Sequence, residues 1–252
     1  VLSVMGIEPC PVPTYVLSTH TGGFGTPATV MLPNFPAECG RHYKEVGISF
    51  DTILIGYLGS IETIGSSKEF LNMNPDSHVV YDPIFADHGK CYSNFDLSYV
   101  EELKKLIPFA DIITPNYTEA CLLTGEKYGL IYSREKVENI VKKLRELGGK
   151  NIVITSTPSI STSSISITIY DSAEDSLEYY HKEKTGVAYP GTGDLFSAVL
   201  TGEYMNGKSI KDACLKAHNF VSACISESSK YDYPIKEGVL LEKCLKLLWE
   251  ES

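Results

Sequence analysis

"DIITPNYTEACLLTG", residues 111–125, joins two periodicities without a gap. Its first part, DIITPN (111–116), is flat in hydrophobicity and rich in β-branched residues, the pattern of a strand buried on both faces. Its second part, NYTEACLLTG (116–125), carries a helical pattern and ends on glycine. A strand feeding straight into a helix is the repeating unit of a parallel α/β fold.

The unit recurs on both sides. TILIGYL (52–58), HVVYDPIF (78–85) and NIVITS (151–156) have the same flat, apolar, strand-like character. Helical patterns lie between them at DLSYVEELKKLIPFA (96–110) and SREKVENIVKKLRELGG (133–149). In the second, Ser133 is a capping residue, Val137, Ile140, Val141 and Leu144 share one face, and Gly148 ends the helix. This alternation implies right-handed crossovers and a mainly parallel sheet covered by helices.

The rhythm then changes. SISITIYD (164–171) and SLEYYHKEK (176–184) alternate across a short polar turn, so they predict an antiparallel hairpin at the sheet edge. Helices are expected over 194–206, stopped by Gly207, over 209–227 and, amphipathic, over 236–250. STPSISTSS (156–164) reads as a surface loop. With no repeat and no linker, residues 1–252 are expected to form a single α/β domain.

Composition narrows the function classes. Hydrophobic residues make up 43% and charged residues 21%, as in an ordinary globular protein. A net charge of −10 argues against a nucleic-acid or membrane surface. No apolar run approaches the ~20 residues needed to span a bilayer, and no signal peptide is evident, so a cytoplasmic protein is expected. The seven cysteines are scattered without a C-x-x-C pair, which favours reduced thiols over disulfides or zinc.

In open parallel sheets ligands bind beyond the carboxyl ends of the strands. Those exits carry Tyr57, Asp82 and Asp87, Asn116 and Glu119, and Thr155 with Ser156. Several are the acid or amide oxygens that hold hydrated Mg²⁺. Asn116 and Glu119 lie three apart at a helix start and read either as a capping box or as oxygen ligands for a Mg²⁺–phosphate group. YPGTGDLFSAVL (189–200) opens another helix through Gly191-Thr192-Gly193-Asp194. Two glycines permit close backbone approach, and the N–H groups of a first helical turn favour an anion. The alternative is a helix entry with Asp194 as a cap. LSTHTGGFG (17–25) reads as a polar, glycine-rich loop over a site or as a plain connection. Neither a P-loop nor a G-x-G-x-x-G fingerprint occurs.

In their order along the chain, STHTGG, DPIFAD, TPNYTEACLLTG and GTGDLFSAVL resemble the ribokinase-like superfamily, and within it the pyridoxal (vitamin B6) kinases. The resemblance runs over nearly the whole chain. It implies a three-layer α/β/α fold and transfer of the γ-phosphoryl of ATP to the 5′-hydroxymethyl of pyridoxal, pyridoxine or pyridoxamine. It also implies Mg²⁺, a commonly dimeric enzyme, and an open question over a monovalent cation. By the same resemblance Asp194 is the general base, and Gly191, Thr192 and Gly193 form the anion hole. Asn116 and Glu119 order Mg²⁺ and phosphate, with Asp82 and Asp87 near the phosphates and metal. Tyr92 matches a lid tyrosine, and Thr155 and Ser156 match a strand-end pair near the nucleotide. Thr21 and Tyr57 match ring contacts, as does His20. A carboxylate at a helix start is expected to be stabilised as the anion.

The family opens with a strand and a D-x-S-G-type turn whose serine touches the pyridine ring. VLSVMGIEPCPVPTYVLSTHTGG (1–23) starts beyond that point, so the natural protein is expected to be longer. The alternatives are a hydroxymethylpyrimidine kinase of the same fold, a ribokinase-type sugar kinase, and a B6-binding protein that has lost activity. The sugar kinase is disfavoured because the early chain lacks the Gly-Gly sugar-binding stretch.

Overall fold

The structure, a computed structural model, describes residues 1–161, 164–183 and 187–249. The chain packs as two compact units, a larger one of residues 12–16 with 30–184, and a smaller one of residues 1–11, 17–29 and 185–252.

After a 3₁₀ turn at Leu2–Met5 the chain forms a ribbon of β1 (Tyr15–Leu17) and β2 (Thr29–Met31). The larger unit then runs through α1 (Phe35–Val46), β3 (Thr52–Ile55), α2 (Ile61–Met73) and β4 (His78–Tyr81). A small hairpin, β5 (Ala86–Asp87) with β6 (Lys90–Cys91), leads to α3 (Leu97–Lys104) and a 3₁₀ turn at Ile107–Phe109. It continues with β7 (Ile112–Ile113), α4 (Tyr117–Thr124), α5 (Arg134–Glu146), β8 (Asn151–Pro158), β9 (Ser164–Asp171) and β10 (Ser176–Glu183).

Six strands form one sheet in the order β10-β9-β8-β7-β4-β3. β3, β4, β7 and β8 are parallel, while β9 and β10 run antiparallel at one edge, as the alternation predicts. In the parallel part Val80, Tyr81, Ile112, Ile113, Ile152, Val153 and Ile154 are buried. Covered strands need no polar face, which is why their sequences run flat. α5 follows its prediction: the Ser133 hydroxyl accepts the Lys136 N–H, and Val137, Ile140, Val141 and Leu144 are buried.

Three expectations are corrected. The stretch taken as a loop from Ser156 is still strand to Pro158, because Thr157 is fully buried and its hydroxyl meets Ile154 O and Thr168 Oγ1. Residues 162–163 of that stretch, and Lys184 at the hairpin's end, lie outside the described residues. The helix expected over 96–110 ends at Lys104, and the segment carrying Pro108 forms the 3₁₀ turn instead.

The smaller unit holds α6 (Thr192–Met205) and α7 (Ile210–Ser228), packed on each other. Here lies the third correction. In place of a helix over 236–250 stand three 3₁₀ turns at Ile235–Glu237, Leu241–Lys243 and Leu245–Leu248. Gly238, at φ 82° and ψ −169°, interrupts the α geometry after the first turn. Glu250 lies outside the described residues.

Candidate active site

In the larger unit the predicted residues gather where strands end. Asn116 caps α4 with its side chain, which accepts the Glu119 N–H at 3.0 Å. Glu119 answers through Oε2, which accepts the Asn116 N–H at 2.8 Å, completing a capping box. Its other oxygen, Oε1, accepts the Phe85 N–H at 3.0 Å and the Ala86 N–H at 3.3 Å. The Asn116 amide in turn donates to Ala86 O at 2.8 Å. Both side chains therefore bind the 85–86 segment onto the start of α4.

Glu119 is 2% exposed and Asp82, at the exit of β4, is 7% exposed. Burial first and the nearby Asp82 second push the Glu119 carboxyl well above the usual carboxylate range, against the three backbone N–H groups that favour its anion. Two buried acids that repel one another form a place where a cation is welcome. Asp87 is exposed, and its carboxylate accepts the N–H of His88.

Thr155 and Ser156 form a bulge on β8: two residues lie between the pairs Ile154–Thr168 and Thr157–Ser166, opposite the single residue Ile167. Ser156 has φ 58°, a left-handed conformation unusual outside glycine. Thr155 bridges to Asn116, and its N–H donates to Pro115 O at 3.0 Å. The bulge therefore adjoins the capping box.

Tyr57 follows β3. Its hydroxyl accepts from the Asn94 amide at 2.8 Å, and its ring meets Tyr15 edge-on at 5.9 Å and Phe95 at 5.6 Å. Burial raises its phenol pKa, and the Asn94 bond opposes this. Tyr92, on the same segment as Asn94, is 38% exposed.

In the smaller unit Gly191 is the N-cap of α6 at φ 79°, a left-handed position suited to glycine. The Thr192 hydroxyl donates to Tyr189 O at 3.1 Å. Helix geometry leaves the N–H groups of the first turn without intrahelical carbonyls. Asp194 sits in that turn. Contrary to the expectation from the helix terminus, its carboxyl pKa is raised, because partial burial outweighs the hydrogen bond from its own N–H. The residue still presents surface to solvent, so the shift reflects surrounding protein more than full enclosure.

Thr21 is exposed on the loop between β1 and β2. Beside it, His20 has both ring nitrogens engaged, with Gly22 N–H and Lys236 O. Asn94 and Lys236 were not evident from the sequence. Their partners lie 37 and 216 residues away, beyond any local motif.

The profile of the phosphomethylpyrimidine kinase family matches residues 27–238. A pyridoxal kinase of Dictyostelium discoideum is 29% identical over 242 residues, 90% of this chain and 79% of its own. A hydroxymethylpyrimidine/phosphomethylpyrimidine kinase of Haemophilus influenzae is 31% identical over 174 residues, 68% of this chain and 64% of its own. A crystal structure described as a phosphomethylpyrimidine kinase of Bacteroides thetaiotaomicron, in an orthorhombic form with pyridoxal, superposes with a TM-score of 0.92. It is 36% identical, and the match covers 98% of this chain and 87% of the other. The α/β fold is that of these kinases, and the chain belongs to the phosphomethylpyrimidine kinase family.

Proposed function

We propose that this chain is an ATP-dependent kinase that phosphorylates the 5′-hydroxymethyl group of pyridoxal, pyridoxine or pyridoxamine. The observation that carries the reading is the fold match at 36% identity to a family member holding pyridoxal. The pyridoxal kinase relative at 29% identity over 90% of the chain supports it.

Phosphoryl transfer depends on positioning and charge stabilisation more than on covalent chemistry. In this reading the N–H groups at Gly191, Thr192 and Gly193 hold the transferring phosphoryl. Asp194 orients the acceptor hydroxyl and takes its proton. Its raised pKa makes it a stronger acceptor than an ordinary aspartate. Thr21 and Tyr57 contact the vitamin ring, while Asp82, Asp87, Tyr92, Asn116, Glu119, Thr155 and Ser156 serve the nucleotide side.

The buried Asp82–Glu119 pair fits a magnesium ion carried with the nucleotide. Among the described residues no three His, Cys, Asp or Glu side chains are arranged to ligate a metal. That suits Mg²⁺, which keeps several waters and the nucleotide's own phosphates as ligands. Glu119 and Asn116 would hold it through water, because their polar atoms are already bonded within the protein. When bound, the ion neutralises charge on the phosphates. The reading extends to a cytoplasmic homodimer, which light scattering of the purified chain checks.

Hydroxymethylpyrimidine kinase activity is the second reading, favoured by the Haemophilus relative at 31% identity. A coupled ADP-release assay over pyridoxal, pyridoxine, pyridoxamine and hydroxymethylpyrimidine separates the two. Turnover on the B6 vitamers is expected. Turnover on hydroxymethylpyrimidine alone overturns the assignment, and binding without turnover on any substrate favours a B6-binding protein.

A further inference from the structure

The loop carrying Thr21 is fastened at one place. His20 Nε2 lies 2.6 Å from Lys236 O, and the Gly22 N–H points at His20 Nδ1 across 3.1 Å. A backbone N–H only donates and a carbonyl only accepts. The ring is therefore held as the neutral tautomer with its proton on Nε2. The Lys236 side chain adds to the hold. Its ammonium stands 4.5 Å from the centre of the Phe24 ring and 3.3 Å from Gly23 O. Phe24 in turn meets the His20 ring edge-on at 5.0 Å. Gly23, at φ +85°, lies so close that a Cβ there would reach Lys236 Cβ at 3.3 Å.

We infer that Lys236 and His20 form a latch that positions the 20–24 loop, and with it Thr21, for the acceptor ring. Lys236 touches no reacting atom and acts through the loop. The backbone carbonyl of residue 236 holds His20, while its ammonium holds Phe24 and Gly23. One residue of a C-terminal 3₁₀ turn thereby holds His20, Gly23 and Phe24 directly and Gly22 through His20, which leaves Thr21, an exposed residue, as the loop position the latch carries without gripping. Because both nitrogens of His20 are engaged inside the protein, the histidine positions the loop, and the contact to substrate falls to Thr21. The inference rests on the proposed B6 kinase reading, in which Thr21 meets the vitamin.

The test uses the full chain and three variants, Lys236→Ala, Lys236→Arg and Thr21→Ala, with KM for pyridoxal and for ATP measured separately. Lys236→Ala is expected to raise KM for pyridoxal about 2- to 5-fold, the worth of an exposed cation–π contact, with KM for ATP unmoved. Lys236→Arg should restore the value, since a guanidinium also stacks on a ring. The tautomer is read independently by ¹⁵N–¹H correlation NMR of His20. Wild type should give the Nε2–H pattern, and Lys236→Ala should keep it, because the carbonyl of residue 236 remains. If Thr21→Ala raises KM for pyridoxal while Lys236→Ala leaves it unmoved, the latch is overturned. If Thr21→Ala leaves KM unchanged, the acceptor reading of the loop fails and the positioning role with it. A wild-type histidine spectrum showing Nδ1–H overturns the latch whatever the substrate proves to be.

Discussion

Asp194 lies three residues beyond a left-handed glycine cap, where the helix terminus and the surrounding protein act on its carboxyl in opposite directions. Burial prevails and raises the pKa. A group whose folded pKa is raised binds its proton more tightly in the native state, so its ionisation works against stability as pH climbs. Asp194→Asn should therefore melt at the wild-type temperature or above it, while turnover falls by roughly 10²- to 10⁴-fold. Calorimetry beside the ADP-release assay checks both halves. A variant that keeps near-normal turnover would remove Asp194 from the base role. The acid limb of kcat/KM should also lie above that of an ordinary aspartate. Gly193 offers a sharper contrast. A Cβ added there meets nothing within 4 Å, so the protein itself does not require the glycine. If the space belongs to a phosphoryl group, Gly193→Ala should leave thermal stability unchanged yet depress turnover more than tenfold, a loss of over about 1.4 kcal/mol in the transition state. Full activity in that variant would count against the anion hole.

At the scale of elements, the capping box at α4 does two jobs, of which the sequence shows one. Asn116 and Glu119 do cap the helix, and the second Glu119 oxygen also collects the N–H groups that bring the β5–β6 hairpin to it. Only the first job was legible, because the 85–86 partners lie more than thirty residues upstream. Glu119→Gln should destabilise the fold by about 1–3 kcal/mol, since the new amide turns a donor toward backbone donors. A denaturant midpoint equal to wild type would show the carboxylate is not needed there. Asp111 plays a comparable part between strands. Its carboxylate accepts the Val79 N–H at 2.9 Å on β4 and the Lys150 ammonium at 2.8 Å. Burial raises its pKa, but Lys150, the Val79 N–H and His78 together overcome that and hold the carboxyl low. A depressed carboxyl stabilises the fold above its unfolded pKa, and the benefit fades as pH falls through the folded value. Asp111→Ala should thus cost about 1–3 kcal/mol at neutral pH. The gap from wild type should shrink below about pH 4, the ordinary aspartate value. A gap independent of pH would mean that packing, not charge, fastens these strands.

Across the molecule, legibility followed burial. The strands with two covered faces announced themselves, since Val80, Ile112, Ile152 and their neighbours are buried and need no periodicity. β8 beyond its bulge did not, because buried Thr157 meets Thr168 across the strands while the stretch reads locally as a loop. α1 and α2 and the β1–β2 ribbon were also not legible; Val16, Val30, Met31 and Phe35 show apolar surface without a clear repeat. The C-terminal segment kept its apolar residues, with Cys244 and Leu248 buried, but lost its helix at Gly238. Cysteine packing tests both units at once. Cys39, Cys121, Cys214, Cys224 and Cys244 are buried, Cys91 is half-buried, and Cys10 is exposed. Burial pushes the Cys214 thiol up, and burial together with neighbouring Cys244 pushes Cys224 up to about 12. Thiolate is the reactive form, so these groups should be inert to a disulfide reagent at neutral pH while the fold holds. With Ellman's reagent the native protein should release roughly one equivalent of colour quickly, from Cys10, and a second slowly from Cys91. In guanidinium without reductant all seven cysteines should react. Six fast equivalents in the native state would contradict the packing of both units, and fewer than seven after denaturation would reveal disulfides where the structure has thiols.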